Sequence, residues 1–214
     1  MVIYFLSFQR WRSTVLAYLL WHQRARGIPP QRYQKALRSF HRSLAEHRPR
    51  GYLGSVVLRY DGIPWAGPGE CYEDSYFVST FAALGTLDER AASGPPHEVP
   101  HQHIAQLSTH GAGGLYRLLA GAPGGSRTSR TLWLRKRDGR TYAEVRARLA
   151  ELPHPPGASV WVRELGLGPA PDLAYRGRAG SVSLTGLEDL LEIVHDLYGT
   201  PVISTLPKEP SAVQ

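Results

Sequence analysis

Apolar positions along this chain recur with two periods, and the switch between them marks out the elements. VIYFLSF (Val2 to Phe8) is apolar, β-branched and aromatic, the pattern of a buried strand. A helical region is predicted next in two pieces. The first runs from about Trp11 to Arg26 and stops before Gly27; the second opens at Pro29-Pro30, where proline suits a first turn. In the second piece Tyr33, Leu37, Phe40 and Leu44 form one apolar stripe at helical spacing, flanked by Arg32, Lys35, Arg38 and Arg42. Pro49 and Gly51 end it. Two strands follow, Gly54 to Tyr60 and Tyr76 to Thr80, joined by the Gly/Pro loop DGIPWAGPGE. Then come a helix over Phe81 to Ala92, a histidine-rich segment with helical spacing, and a strand over Gly114 to Gly121. The order is βαββαβ with an extra helix before the last strand.

The second half repeats this order. Thr131 to Arg137 is a predicted strand, and Thr141 to Leu152 a helix opened by a Thr141–Glu144 capping box. Ala158 to Leu165 is a strand, and a ragged strand spans about Ala174 to Leu184. GLEDLLEIVHDLY (Gly186 to Tyr198) reads as an amphipathic helix, and Pro201 to Leu206 as the last strand. The expected organisation is a first half over residues 1–121 carrying the His-rich insertion, a Gly/Ser/Pro linker at 122–128, a second half over 129–206, and a disordered tail at 207–214.

Two βαββαβ units make an α+β protein: two antiparallel sheets, each with helices on one face and a bare apolar face on the other. Packed sheet to sheet, they cover each other. This element order resembles the dimeric α+β barrel superfamily, in the form with two ferredoxin-like halves in one chain. The resemblance spans nearly all of residues 2–206 and is one of topology. It implies a pocket enclosed by the two sheets. Its members include cofactor-free monooxygenases, polyketide cyclases, small-molecule isomerases, haem-binding relatives of chlorite dismutase and proteins without known activity.

Charge changes the picture in one place. The chain carries +7 overall, of which residues 1–60 hold +10, residues 61–126 hold −5 and the remainder +2. Such a basic first quarter calls for an anionic ligand, nucleic acid, or the acidic middle of this fold or of a second copy. Nucleic acid is disfavoured, because the aromatics of that segment fall on apolar stripes and no recognised binding motif is present. A homo-oligomer is compatible with the pattern. The longest apolar run of the first helical piece, Thr14 to Trp21, is too short for a membrane span, and Met1 to Phe8 lacks the layout of a signal peptide. The single cysteine, Cys71, precludes a disulfide within the chain, and a cytoplasmic location is the default expectation.

Two segments carry candidate chemistry. PPHEVPHQHIAQLSTHG holds His97, His101, His103 and His110. On a helix, residues two apart diverge by about 200° and residues seven apart lie about 10 Å from each other, while His97 and His101 straddle Pro100, which works against helical i,i+4 geometry, so no metal site is expected. A lone axial histidine for haem needs no such pairing. His101 or His103, on a helix over a pocket mouth, could move a proton near neutral pH; the plain alternative is a solvated helix. The second segment, CYEDSYFV, places Tyr72, Asp74 and Tyr76 on one side of a strand, where two phenols and a carboxylate could orient and deprotonate a phenol or enol. His41, beside Phe40 and Leu44, could face a pocket between helix and sheet. His22 and His195 have no partner that the sequence places. The expectation is an enzyme without metal or cofactor, a cyclase, isomerase or oxygenase acting on an aromatic, polyketide-like, anionic or otherwise enolisable small molecule. Its candidate catalytic residues are His41, Tyr72, Asp74, Tyr76, His101 and His103. The alternatives are a haem-binding protein, or a non-catalytic module that binds a ligand or partner through the Arg-rich N-terminal helices.

Overall fold

The computed structural model describes residues 15–123, 129–151, 155–166, 169–181 and 183–207. The predicted strand over Val2 to Phe8, most of the linker and nearly all of the tail lie outside the described residues. The elements run β1 (Leu16–Arg24), α1 (Pro30–Glu46), β2 (Tyr52–Tyr60), β3 (Cys71–Val78), α2 (Phe81–Ala92), α3 (Glu98–Leu107), β4 (Ser108–Gly121), β5 (Arg130–Lys136), α4 (Tyr142–Glu151), β6 (Ser159–Gly166), β7 (Leu173–Gly177), β8 (Leu191–Tyr198) and β9 (Thr200–Ser204).

The described strands pair antiparallel throughout, in the order β8-β5-β7-β6-β4-β1-β3-β2-β9. The order is that of a closed barrel, because β8 and β9 are one run of chain bent at Gly199. β8 pairs with β5 in the second half, and β9 pairs with β2 in the first. β4 does the same at the other seam, pairing with β1 and, further along, with β6. Each half has the ferredoxin-like order of its own strands, β4-β1-β3-β2 and β8-β5-β7-β6. Glycine at 199 serves a close approach, since a Cβ there would stand 3.0 Å from the Tyr60 ring. The α+β class and the two ferredoxin-like halves are as expected. α4 begins in the predicted capping box: Thr141 N–H donates to Glu144 Oε2 at 2.7 Å and Glu144 N–H donates back to Thr141 Oγ1 at 3.1 Å. Among the described residues, no helix is long and apolar enough to cross a membrane.

Two elements differ in type from expectation. The segment predicted as a helix from Trp11 to Arg26 forms strand β1 at Leu16–Arg24, and the predicted helix over Gly186 to Tyr198 gives way to turns and strand β8. β1 is covered on both faces. Leu16, Tyr18, Leu20 and His22 face α1–α3, and Ala17, Leu19 and Trp21 face the barrel interior, so no alternation survives in the sequence. Its leucines and alanine are also good helix formers. In the second half the place of the missing helix is taken by Leu184, Leu187 and Leu190, which pack with Val145 and Leu149 of α4 over the sheet. Their spacing imitates a helical stripe.

The barrel interior is filled, which corrects the expected cavity between the sheets. Trp21, Trp133, Trp161, Tyr60 and Tyr116 are each at most 2% exposed. Trp21 and Trp133 meet edge to face with ring centroids 5.8 Å apart, and Tyr116 meets both. Edge-to-face aromatic pairs contribute about 0.5–1.5 kcal/mol each beyond burial. Bulky rings from both halves thus make the centre a packed core, and any site must lie elsewhere.

Candidate active site

A cavity lies on the other side of the first sheet, beneath its helices. Its volume is about 400 Å3, and it is bounded by the outward face of β1, β3 and β4 and by α1, α2 and α3. Its walls are apolar: Phe40 and Leu44 from α1, Leu84 and Leu87 from α2, Ile104 from α3. In the second half Leu184, Leu187 and Leu190 pack over the corresponding sheet face.

Glycine accounts for part of the room. In register, Gly111 and Gly113 of β4 stand opposite His22 and Leu20 of β1, so one stretch of the cavity side carries no side chains. A Cβ on Gly111 would meet nothing within 4 Å. Just before it, His110 is an extra residue in β4, with φ 52° and a register shift opposite His22/Gln23. This is a β-bulge, and it bends the strand at the cavity mouth.

The cavity floor is polar at one point. Leu20 and Asp74 are cross-strand partners, as are Tyr18 and Tyr76, so Asp74 and Tyr76 project side by side from β3. Tyr76 Oη–H donates to Asp74 Oδ2 at 2.9 Å. His41 Nε2 of α1 lies 3.3 Å from the same oxygen, and its ring stacks on Tyr76 with centroids 5.1 Å apart. Behind it, His41 Nδ1 is 2.7 Å from Ser55 Oγ. On the other side, His22 Nε2 is 3.2 Å from Asp74 Oδ1. That contact is an ion-pair distance without hydrogen-bond alignment, so Oδ1 is a buried acceptor whose hydrogen-bonding capacity is unused. His22 Nδ1 continues the chain, 2.5 Å from Tyr33 Oη of α1.

Electrostatics assigns states to two of these groups. Burial would push the Asp74 carboxyl up, but His22 and then His41 outweigh it and hold Asp74 below the usual carboxylate range. Asp74 is therefore a persistent anion. The Tyr76 phenol is driven well above its ordinary range by burial and then by Asp74, so it keeps its proton as a donor.

The sequence-predicted residues divide accordingly. Asp74, Tyr76 and His41 come together; Asp74 and Tyr76 line the cavity, and His41, fully buried, supports them from behind. His101 is half-buried on α3 and lines the cavity wall, its ring 5.3 Å from Phe40. Tyr72 shares the face of β3, yet its hydroxyl turns away and donates to Glu70 Oε1 at 3.0 Å. His103 is exposed on α3 and does not line the cavity. His97 is structural: 3% exposed, with Nδ1 2.6 Å from Ser43 Oγ and Nε2 3.2 Å from the His47 carbonyl, it ties the start of α3 to α1. Among the described residues, no three His, Cys, Asp or Glu side chains group as metal ligands. His22 is the residue that sequence reasoning missed. Read as a strand, LAYLLWHQR would have placed it on the face of Tyr18 and Leu20.

Among the described residues, Glu70 is where the acidic middle of the chain meets the basic first quarter. Glu70 pairs with Arg24 at 3.2 Å and with Arg59 at 3.8 Å. Arg32, Lys35 and Arg42 are exposed on the outer side of α1, away from the cavity. Among the described lining residues of the cavity there is no arginine or lysine.

Fold and site together define a ferredoxin-like α+β barrel with a filled centre and an acid–base cluster beneath the helices of one half. No family model matches this sequence, and no curated protein resembles it closely enough to count as a relative. Solved structures do resemble it. A provisionally assigned monooxygenase from Fusobacterium nucleatum superposes with a TM-score of 0.61 at 7% identity, covering 89% of this chain and 94% of that one. A second provisionally assigned monooxygenase, from Lactobacillus acidophilus, gives 0.59 at 8% identity, covering 89% and 95%. A provisionally assigned chlorite dismutase gives 0.53 at 10% identity, covering 87% and 94%. At such identities the likeness is one of fold.

Proposed function

We propose that this chain is a small-molecule enzyme that removes a proton from a largely apolar, enolisable substrate, as in cyclase, isomerase or oxygenase chemistry. The observation that carries the reading is Asp74 Oδ1, an unused buried acceptor at the floor of an apolar cavity, flanked by two histidines and a tyrosine. A buried acceptor left unpaired costs about 1–3 kcal/mol, a cost that a hydroxyl or acidic C–H of a bound ligand would offset. Fold alone leaves many functions open, so the site bears the argument.

In this reading the substrate sets its acidic hydrogen against Asp74 Oδ1. Held low as a base by its neighbours, Asp74 does not keep the proton; His22, 3.2 Å away, receives it. His41 and Tyr76 fix the carboxylate in place. His101, on the wall, donates to the oxygen on which enolate charge collects. With no arginine or lysine among the described lining residues, a neutral substrate is favoured over an anionic one.

The test is solvent exchange. With 2-tetralone, an enolisable benzo-fused cyclic ketone, in D2O, the wild-type protein should accelerate deuterium uptake at the benzylic α-carbon by at least about 100-fold over buffer, the lower range for positioned acid–base catalysis. No acceleration for 2-tetralone or for a panel of enolisable cyclic ketones would overturn the reading. A companion variant tests the location. Gly111→Leu projects a side chain into open cavity space from unstrained backbone, so the melting temperature should stay within a few degrees of wild type while exchange is lost. Retained exchange in Gly111→Leu would move the site elsewhere.

A further inference from the structure

Resting on that reading, we propose that Tyr33 and Ser108 form a hydroxyl relay that carries protons between His22 at the cavity floor and the cavity mouth. His22 is 5% exposed, and its Nε2 faces Asp74, so a proton received there needs a way out. Its other nitrogen supplies one. Nδ1 is 2.5 Å from Tyr33 Oη, which is 3.0 Å from Ser108 Oγ. Ser108 closes α3 and opens β4, half-buried at the cavity wall beside the exposed bulge residue His110.

One assignment of donors carries this chain outward from His22. Ser108 Oγ is 2.8 Å from the Ile104 carbonyl, which can only accept, so Ser108 donates there. The Tyr33 hydroxyl then donates to Ser108 Oγ, and Tyr33 Oη accepts from Nδ1–H of His22. With Nδ1 protonated, a neutral His22 leaves Nε2 bare toward Asp74 Oδ1, and a proton taken up there makes the imidazolium whose charge and Nε2–H hold the Asp74 carboxyl low. The neutral form is the arrangement of an empty proton acceptor.

The transfer balances. One proton arrives at Nε2. The Nδ1 proton passes to Tyr33 Oη, the former Tyr33 proton passes to Ser108 Oγ, and the former Ser108 proton leaves to solvent at the mouth. His22 ends neutral with Nε2–H, and every hydroxyl points the other way. The reverse passage restores the start: Nε2 returns its proton to the substrate carbon, and a solvent proton passes through Ser108 Oγ and Tyr33 Oη back to Nδ1. Tyr33 takes part without ionising: burial first, and the nearby Asp74 and Tyr72 after it, hold its phenol well above the ordinary range, against the opposing Ser108 hydrogen bond and Arg24. The other groups around His22 are Asp74 from β3 and Tyr72, whose ring stacks on the imidazole with centroids 5.9 Å apart.

The relay is measurable without any substrate. In the full-length protein with 15N-labelled histidine, the His22 ring N–H, assigned by its loss in His22→Gln, should exchange with water quickly despite its burial. Tyr33→Phe should slow that exchange at least 10-fold, Ser108→Ala should do the same, and Ser108→Thr should keep it near wild type. Ser108→Ala reads the relay on its own if Tyr33→Phe does not fold. Equal exchange in wild type, Tyr33→Phe and Ser108→Ala would overturn the relay. Slowed exchange in a protein whose wild type leaves 2-tetralone untouched would uphold the relay and sink the enzyme reading instead. Where 2-tetralone is turned over, Tyr33→Phe should lower deuterium uptake and leave 2-tetralone binding unchanged.

Discussion

Replacing Arg176 with methionine should cost about 3–5 kcal/mol of folding free energy, the usual penalty for orphaning a buried charge. Arg176 sits on β7 of the second half and reaches across the barrel interior to Glu73 on β3 of the first. Their side chains are 5% and 1% exposed. Nη1 of Arg176 donates to Ser75 Oγ at 3.2 Å and Nε to Thr131 Oγ1 at 3.3 Å, while Trp21 Nε1–H donates to Glu73 Oε2 at 2.8 Å. Once the guanidinium is gone, Glu73 keeps only Trp21 and Ser75, and a carboxylate among tryptophans cannot recruit water. At about 2–4 °C per kcal/mol for a chain of this size, the loss corresponds to a fall of about 6–20 °C in melting temperature.

The paired substitution separates charge from packing. Glu73→Met with Arg176→Met removes both charges, and a well-packed apolar pair is often as stable as the ion pair it replaces. Thermal and urea unfolding should place this double variant within about 2 kcal/mol of wild type. If the double variant is as unstable as Arg176→Met, the guanidinium contributes through shape and hydrogen bonds and not through its charge. If Arg176→Met alone is harmless, the two halves are not joined through this pair.

The same two-sided burial explains which parts of the fold the sequence disclosed. α1, α2 and α4 were legible because each has one wet face, so its apolar positions show a period, whereas β2, β3 and β7 are buried on both faces and were read from their β-branched and aromatic residues and Gly/Pro flanks. β1 has no wet face. Its run of leucine, alanine and tryptophan looks like a helix until the register Leu20↔Asp74 and His22↔Tyr72 is known. The candidate site was legible to the same extent. Period two along CYEDSYFV put Asp74 and Tyr76 on one face, and helical spacing put His41 toward the sheet. Tyr72 satisfied the same pattern, and only its rotamer and Glu70 remove it from the cluster. His22 was hidden inside the misread strand. Which sheet face holds the cavity was not legible at all, since that depends on how five large rings from distant segments fill the centre.

Asp74→Asn should have the larger effect on chemistry. The change keeps the shape of the side chain and removes its charge, so the floor loses the anion that holds His22 and His41 and the oxygen set to meet the substrate. Deuterium uptake into 2-tetralone should fall by about 10²–10⁴-fold, the range for a positioned acid–base group. Its stability signature has a definite sign. The folded Asp74 carboxyl is held low chiefly by His22 and His41, against burial, so its stabilisation is in full force well above the unfolded carboxyl value of about 3.9. It is lost as the pH falls through that value toward the depressed folded one. The melting temperature of Asp74→Asn should therefore lie furthest below wild type near neutral pH, and the gap should narrow below about pH 4 as the wild-type advantage titrates away. A gap of constant size from neutral pH down to acid would show that Asp74 is not held as an anion by its histidines. The proton-transfer reading would then lose its foundation even if the variant were inactive.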